Sequence, residues 1–147
     1  MTPEQVNLAI RMDVSDVLVR YATGIDARDW ALVRSCFTDD CDADYGDIGH
    51  WIGADALSEW MAQSHAAAGR SLHRITNQVV EADREGVRAR SYVDALVLGP
   101  DNVTGTRAVG YYDDRLVRTS GGWKIAHRRF TLVQLQMDVT GGVGGPS

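Results

Sequence analysis

Four long segments rich in β-branched and aromatic residues, at 71–83, 86–99, 104–119 and 122–138, dominate the second half of this chain. Only Arg84-Glu85-Gly86, Gly99-Pro100-Asp101-Asn102 and Ser120-Gly121-Gly122 separate them, and all three are turn chemistry. Connections this short join antiparallel neighbours. In a chain of 147 residues, strands of such length must bend. A strongly bent sheet wraps whatever helices precede it and leaves a concave face, to be filled or kept as a pocket.

Helical patterning precedes the strands. Val6, Ile10, Val14, Val17, Leu18 and Tyr21 recur at three- and four-residue steps, which predicts a helix over 3–24 with Pro3 near its start and Thr2 as cap. Asp29 is placed to cap a second helix over 30–37. A short strand is expected at 41–45. A third helix is expected over 53–68, with Leu57, Trp60, Met61 and His65 on one side and Gly69 as its stop. Helices followed by a meander of strands give the α+β class. The expectation is one domain over 1–147, ordered from about 3 to 138, with a flexible glycine-rich tail at 139–147.

Composition narrows the function. The net charge is −5 with no basic run, so a nucleic-acid partner is not expected. No stretch approaches a membrane span, and the N-terminus has neither a basic leader nor an apolar core, so a cytoplasmic location is expected. Cys36 and Cys41 read as free thiols. There is no GxGxxG, Walker loop, GxSxG or HExxH, and nothing in the sequence calls for a metal or another cofactor.

The residues with chemical potential are few. Asp26 follows the first helix, in a position where Asp29 is the better cap. His73 heads the first long strand, sharing its face with Ile75, Asn77 and Val79. A carboxylate on one imidazole nitrogen fixes the tautomer and leaves the other nitrogen to exchange protons. Tyr21 and Tyr45 can hold a carbonyl or developing enolate oxygen. Asp94 stands in an otherwise apolar strand and needs a partner, for which Arg128 and Arg129 are candidates. Alternation lets only one arginine face inward, and grouping with Trp123 and Ile125 favours Arg129. Trp51, Trp60, Met61 and Phe37 are candidate walls for an apolar ligand. The apolar row Val87, Ala89, Val93, Ala95 and Val97 suggests that one strand face meets a partner, and a homodimer is expected.

The stretches YATGIDARDWALVRSCFTDDCDADYGD, GADALSEWM, SLHRITNQVVE and GYYDDRLVRTSGGWKIAHRR resemble the SnoaL-like branch of the nuclear-transport-factor-2-like superfamily, over about residues 10 to 132. That resemblance implies a cone-shaped α+β barrel: three N-terminal helices packed on a strongly curved antiparallel sheet around a pocket. Within the branch, the site pattern is similar to those of scytalone dehydratase, bile-acid 7α-dehydratase and hexachlorocyclohexane dehydrochlorinase, which eliminate without a cofactor. Their Asp–His pair falls on Asp26 and His73. The bile-acid enzyme's tyrosine falls on Tyr21 and the scytalone enzyme's strand tyrosine on Tyr45; Asp94 and Arg129 match acidic and arginine positions only with small gaps. Two positions depart: Ile25 replaces a tyrosine, and a second catalytic histidine falls near Val97. The resemblance implies a dehydratase-type lyase acting on a small hydrophobic ring compound such as a steroid, polyketide or terpenoid. An isomerase like ketosteroid isomerase is one alternative. A non-catalytic ligand-binding protein or small subunit of a ring-hydroxylating oxygenase is another.

Overall fold

The computed structural model describes residues 8–140. The expected helix start at Pro3, its Thr2 cap and Val6, and most of the glycine-rich tail, lie outside the described residues. Helix α1 spans Leu8–Asp26, α2 Trp30–Ser35 and α3 Ala54–His65. The strands are β1 Phe37–Asp44, β2 His50–Ile52, β3 Ser71–Asp83, β4 Gly86–Leu98, β5 Thr104–Thr119 and β6 Gly122–Thr140, with a short 3₁₀ turn at Gly46–Ile48. The long strands fall close to the segments expected from composition. β2 was not anticipated, and β1 begins at Phe37, four residues before the expected strand.

The strands form one six-stranded sheet in the order β2-β1-β6-β5-β4-β3, with helices packed on its concave side. Neighbours pair antiparallel except β1 with β6, which run parallel. That parallel pair returns the chain from the helical half to the last strand, a long-range pairing that turn chemistry does not announce. Bulges bend the sheet: β3 shifts register between Thr76 and Val79, where Asn77 has φ +49°, and β5–β6 shifts at three places. At Gly110, any Cβ would collide with the Thr131 carbonyl of β6, so this crossing needs glycine.

α1 presents Val14, Val17, Leu18, Tyr21 and Ile25 to the core and packs mainly on β3, as its apolar periodicity requires. Each such side chain contributes about 1.5–3 kcal/mol on burial. Asp29 caps α2 as expected, its side chain accepting from the Leu32 N–H at 3.1 Å. Cys36 and Cys41 are free and buried. The apolar row on β4 faces inward: Val87, Ala89 and Val93 are core, and Ala95 and Val97 line a cavity. It is therefore not the outward surface that suggested a dimer contact. The other face of β4 carries Arg88, Arg90, Tyr92 and Asp94.

Candidate active site

The cone holds a cavity of about 160 Å³ between α1, α3 and the sheet. That is close to the ~150 Å³ of an engineered apolar cavity that binds benzene. Apolar side chains make most of its wall, among them Ile25, Trp60, Met61, Val93 and Phe130. Its polar groups are Tyr21, Tyr45, Tyr112, His65 and His73.

Asp26 is the last residue of α1, and His73 is the third residue of β3, packed against it. The Asp26 carboxylate binds His73 twice. Oδ1 is 2.7 Å from ring Nδ1, and Oδ2 accepts the His73 backbone N–H at 2.8 Å. Because a carboxylate only accepts, Nδ1 carries the proton. Nε2 then makes no hydrogen bond among the described residues, and the ring lines the cavity. Asp26 itself is behind the ring, not in the cavity wall. Partial burial pushes its carboxyl up, but bonds from the His73 ring, the His73 N–H and the Ser71 hydroxyl outweigh that and hold it below the ordinary carboxylate value.

A second layer supports the pair. Ser71 Oγ donates to Asp26 Oδ1 at 2.8 Å, and Arg28 Nη1 donates to Ser71 Oγ at 2.8 Å and to the Ile25 carbonyl at 2.8 Å. Arg28 Nη2 donates to the Gly69 carbonyl at 2.5 Å. Arg28 has φ +58°, an uncommon conformation for a residue with a side chain. Its guanidinium ties the end of α1 to the start of β3, which is where Asp26 and His73 meet.

The tyrosines form a cluster. Tyr21 Oη lies 2.7 Å from Tyr45 Oη and 3.4 Å from Tyr112 Oη. Burial raises all three above the ordinary phenol value, so they are neutral hydrogen-bond donors at neutral pH. Behind them is Arg128, whose guanidinium lies 3.7 Å from the Tyr112 ring centroid and 4.3 Å from that of Tyr21. It donates to both oxygens of Asp114, at 2.8 and 2.9 Å, and lies 3.5 Å from Tyr45 Oη. Both members of the ion pair are fully buried. Burial alone would pull Arg128 down, yet Asp114 and the phenols hold it far above its ordinary value.

This corrects the assignment of Arg129. Its side chain is 73% exposed and 4.0 Å from Asp44. The reason is a bulge: Arg115 pairs with His127 and Leu116 with Ile125, so Ala126 is the extra residue. It reverses the alternation of β6, and Arg128 takes the face of Trp123 and Ile125. Asp94 is also outside the cavity, since it shares its β4 face with Tyr92 rather than Val93. Its partners are Arg74 at 2.9 Å and Arg107 at 2.7 Å, not the arginines of β6. Phe37 is core, edge-on to Tyr21. Trp51 is behind the wall, stacked on Trp60 at 3.9 Å, while Trp60 and Met61 form the wall itself.

The residues not anticipated as site members are Tyr112, Asp114, Arg128 as the inward arginine, Ser71, Arg28 and His65. One signal was available for two of them. Gly110, Tyr112, Asp114 and Leu116 repeat at period two and are all buried, which marks Asp114 as an inward carboxylate in need of a cation. Among the described residues, no group of three or more His, Cys, Asp or Glu side chains is placed to hold a metal ion. No described helix is long and apolar enough to cross a membrane.

A family model described as SnoaL-like domain matches residues 6–129. An uncharacterized protein of Mycobacterium tuberculosis is 28% identical over 120 residues, covering 80% of this chain and 82% of that protein. Among solved structures, a candidate scytalone dehydratase from Novosphingobium aromaticivorans superposes with a TM-score of 0.81 at 18% identity, over 96% of this chain and 97% of that one. A hexachlorocyclohexane dehydrochlorinase superposes with a TM-score of 0.79 at 20% identity, over 95% of each chain. At such identities these two structures share the fold.

Proposed function

The chain belongs to the SnoaL-like domain family, and on that premise we propose that it is a cofactor-independent lyase of the dehydratase type, with His73 as general base. One observation carries the reading. His73 has its Nδ1–H held by Asp26 at 2.7 Å and its bare Nε2 on an apolar cavity that also contains three neutral phenols. The Nε2 lone pair removes a proton from the carbon next to a carbonyl. A phenol of the Tyr21–Tyr45–Tyr112 cluster donates to the carbonyl oxygen as charge builds there. The electron pair then forms the C=C bond as the neighbouring C–O bond breaks. The departing hydroxyl takes the proton from the His73 imidazolium, so water is lost and the enzyme is regenerated. Arg128 keeps the cluster electropositive without entering the cavity, and Asp26 stabilises the imidazolium.

The cavity accommodates one ring, so a larger polyketide, terpenoid or steroid would insert one ring and leave the rest at the mouth. The resemblance of the Asp26–His73 site pattern to those of cofactor-free eliminating enzymes of the SnoaL-like branch, and the likeness of the fold to that of a dehydrochlorinase, support elimination. The phenol cluster equally suits an enolate that is reprotonated at another carbon, which keeps an isomerase as the second reading. The test is 3-hydroxycyclohexanone with wild type and His73→Gln, followed by the enone absorbance. Enone formed by wild type and lost in the variant supports the lyase. Conversion of cyclohex-3-enone to cyclohex-2-enone by wild type, with no enone formed from 3-hydroxycyclohexanone, supports the isomerase. Turnover that persists within a few-fold in His73→Gln rejects both.

A further inference from the structure

His65, on the last turn of α3, is a cavity residue that this mechanism does not use. Its Nδ1 lies 2.8 Å from the Met61 carbonyl oxygen, one helical turn back. A carbonyl only accepts, so Nδ1 carries the proton. The Ser64 hydroxyl, 3.1 Å from Nδ1, has its own acceptor in the same Met61 oxygen at 3.1 Å. The neutral ring therefore has its lone pair on Nε2, on the side away from the helix backbone. Nε2 makes no hydrogen bond among the described residues. Burial lowers His65 most; the Met61 bond opposes it, Arg28 and His73 lower it further, Asp26 opposes least, and the net shift is downward, so the ring is neutral. The Trp30 ring packs on one side at 5.6 Å between centroids, and the His73 ring lies at 6.2 Å.

An unfilled acceptor beside apolar walls is a selective element, because a ligand that satisfies it gains and one that cannot is disfavoured. We infer that His65 selects the ligand: its Nε2 accepts a hydrogen bond from a hydroxyl on the bound ring, so the cavity takes phenols, enols or cyclic alcohols in preference to rings without an O–H. The inference rests on the cavity being the substrate site. It adds a third anchor to a carbonyl held by the tyrosines and a C–H facing His73, and so specifies a hydroxylated ring.

The probes are p-cresol and its near-isostere 4-fluorotoluene, which lacks the O–H, titrated into the full chain and followed by ligand-detected NMR. Wild type is expected to prefer p-cresol by roughly 5- to 10-fold, the effect of one neutral hydrogen bond. His65→Phe is expected to erase that preference while keeping 4-fluorotoluene binding within about twofold, which reports an intact cavity. His65→Gln, whose amide oxygen accepts, retains part of it, and His73→Gln retains it all. No preference in wild type, or a preference that survives in His65→Phe, overturns the inference and leaves the lyase reading standing. A preference lost only in His73→Gln assigns the acceptor to His73 and also overturns it. Binding of neither probe to wild type removes the cavity as a ring site, and both readings fall together.

Discussion

The Asp26 carboxylate holds His73 at two points, Oδ1 on the ring Nδ1 at 2.7 Å and Oδ2 on the backbone N–H at 2.8 Å. The first contact sets the tautomer and the second sets the position of the residue that carries the ring. A strand start and a helix end are thereby locked into one unit, and the unbonded Nε2 is aimed by backbone as well as side chain.

Asp26→Asn tests that unit. The amide can keep the shape but presents an N–H or a weaker acceptor to Nδ1 and no charge to an imidazolium. Elimination activity is expected to fall by at least about 100-fold in kcat, with KM changed far less, because the loss is felt in the transition state. Steady-state kinetics on the 3-hydroxycyclohexanone reaction read this directly. Equal losses in kcat and affinity would assign Asp26 to ligand binding instead.

The phenols are expected to separate by role. Tyr45→Phe and Tyr112→Phe each remove one hydroxyl from the cluster, and the one that touches the substrate oxygen should cost about 10²-fold or more in kcat. The other should cost little activity. If both variants are as active as wild type, Tyr21→Phe is the remaining test of the cluster, and a third fully active variant shows that the substrate oxygen is held outside it.

Arg128 and Asp114 form a fully buried pair behind those phenols. Asp114→Ala leaves a guanidinium with no counter-charge and is expected to destabilise the fold by about 3–5 kcal/mol, seen as a lower urea midpoint. Replacing both partners with Arg128→Met and Asp114→Leu should be milder than Asp114→Ala alone. A double variant less stable than the single one would contradict this account of the pair.

Acid sensitivity follows from carboxylates held low by their partners. Hydrogen bonds from Arg115 keep Asp83 at about 2, below its ordinary value. A depressed folded value means that its contribution is full above the unfolded value and is lost as pH falls through the folded one. Asp26 has the same sign. The urea midpoint is therefore expected to drop between about pH 4 and pH 2, and Asp83→Asn should flatten part of that drop. A variant with an unchanged slope would remove Asp83 from the explanation.

Much of the fold was legible because the strand segments are long and their turns are chemically explicit. Asp26, His73, Tyr21 and Tyr45 were legible as candidates, and their convergence is tertiary. What escaped did so for a physical reason in each case. The parallel β1–β6 pairing joins residues 85 to 88 positions apart in the sequence and has no local signature. Strict alternation along β6 favours Arg129 over Arg128, and one bulge at Ala126 reverses it. Asp94 drew attention as a carboxylate among apolar residues, but the face opposite its apolar neighbours supplies Arg74 and Arg107. A homodimer remains a proposal. Leu132, Val133, Leu135 and Met137 on the exposed end of β6 are the apolar side chains such a contact would cover, and sedimentation at micromolar concentration would show a dimer or a monomer.

The most direct test of the central claim needs no knowledge of the natural substrate. Cyclohexanone has a single ring and exchangeable protons next to its carbonyl, so its deuterium uptake in D₂O, followed by NMR, reports a base acting on carbon inside the cavity. Wild type is predicted to accelerate uptake well above buffer, with His73→Ala and Asp26→Asn returned to the buffer rate. Uptake that continues in His73→Ala within a few-fold of wild type would contradict the account.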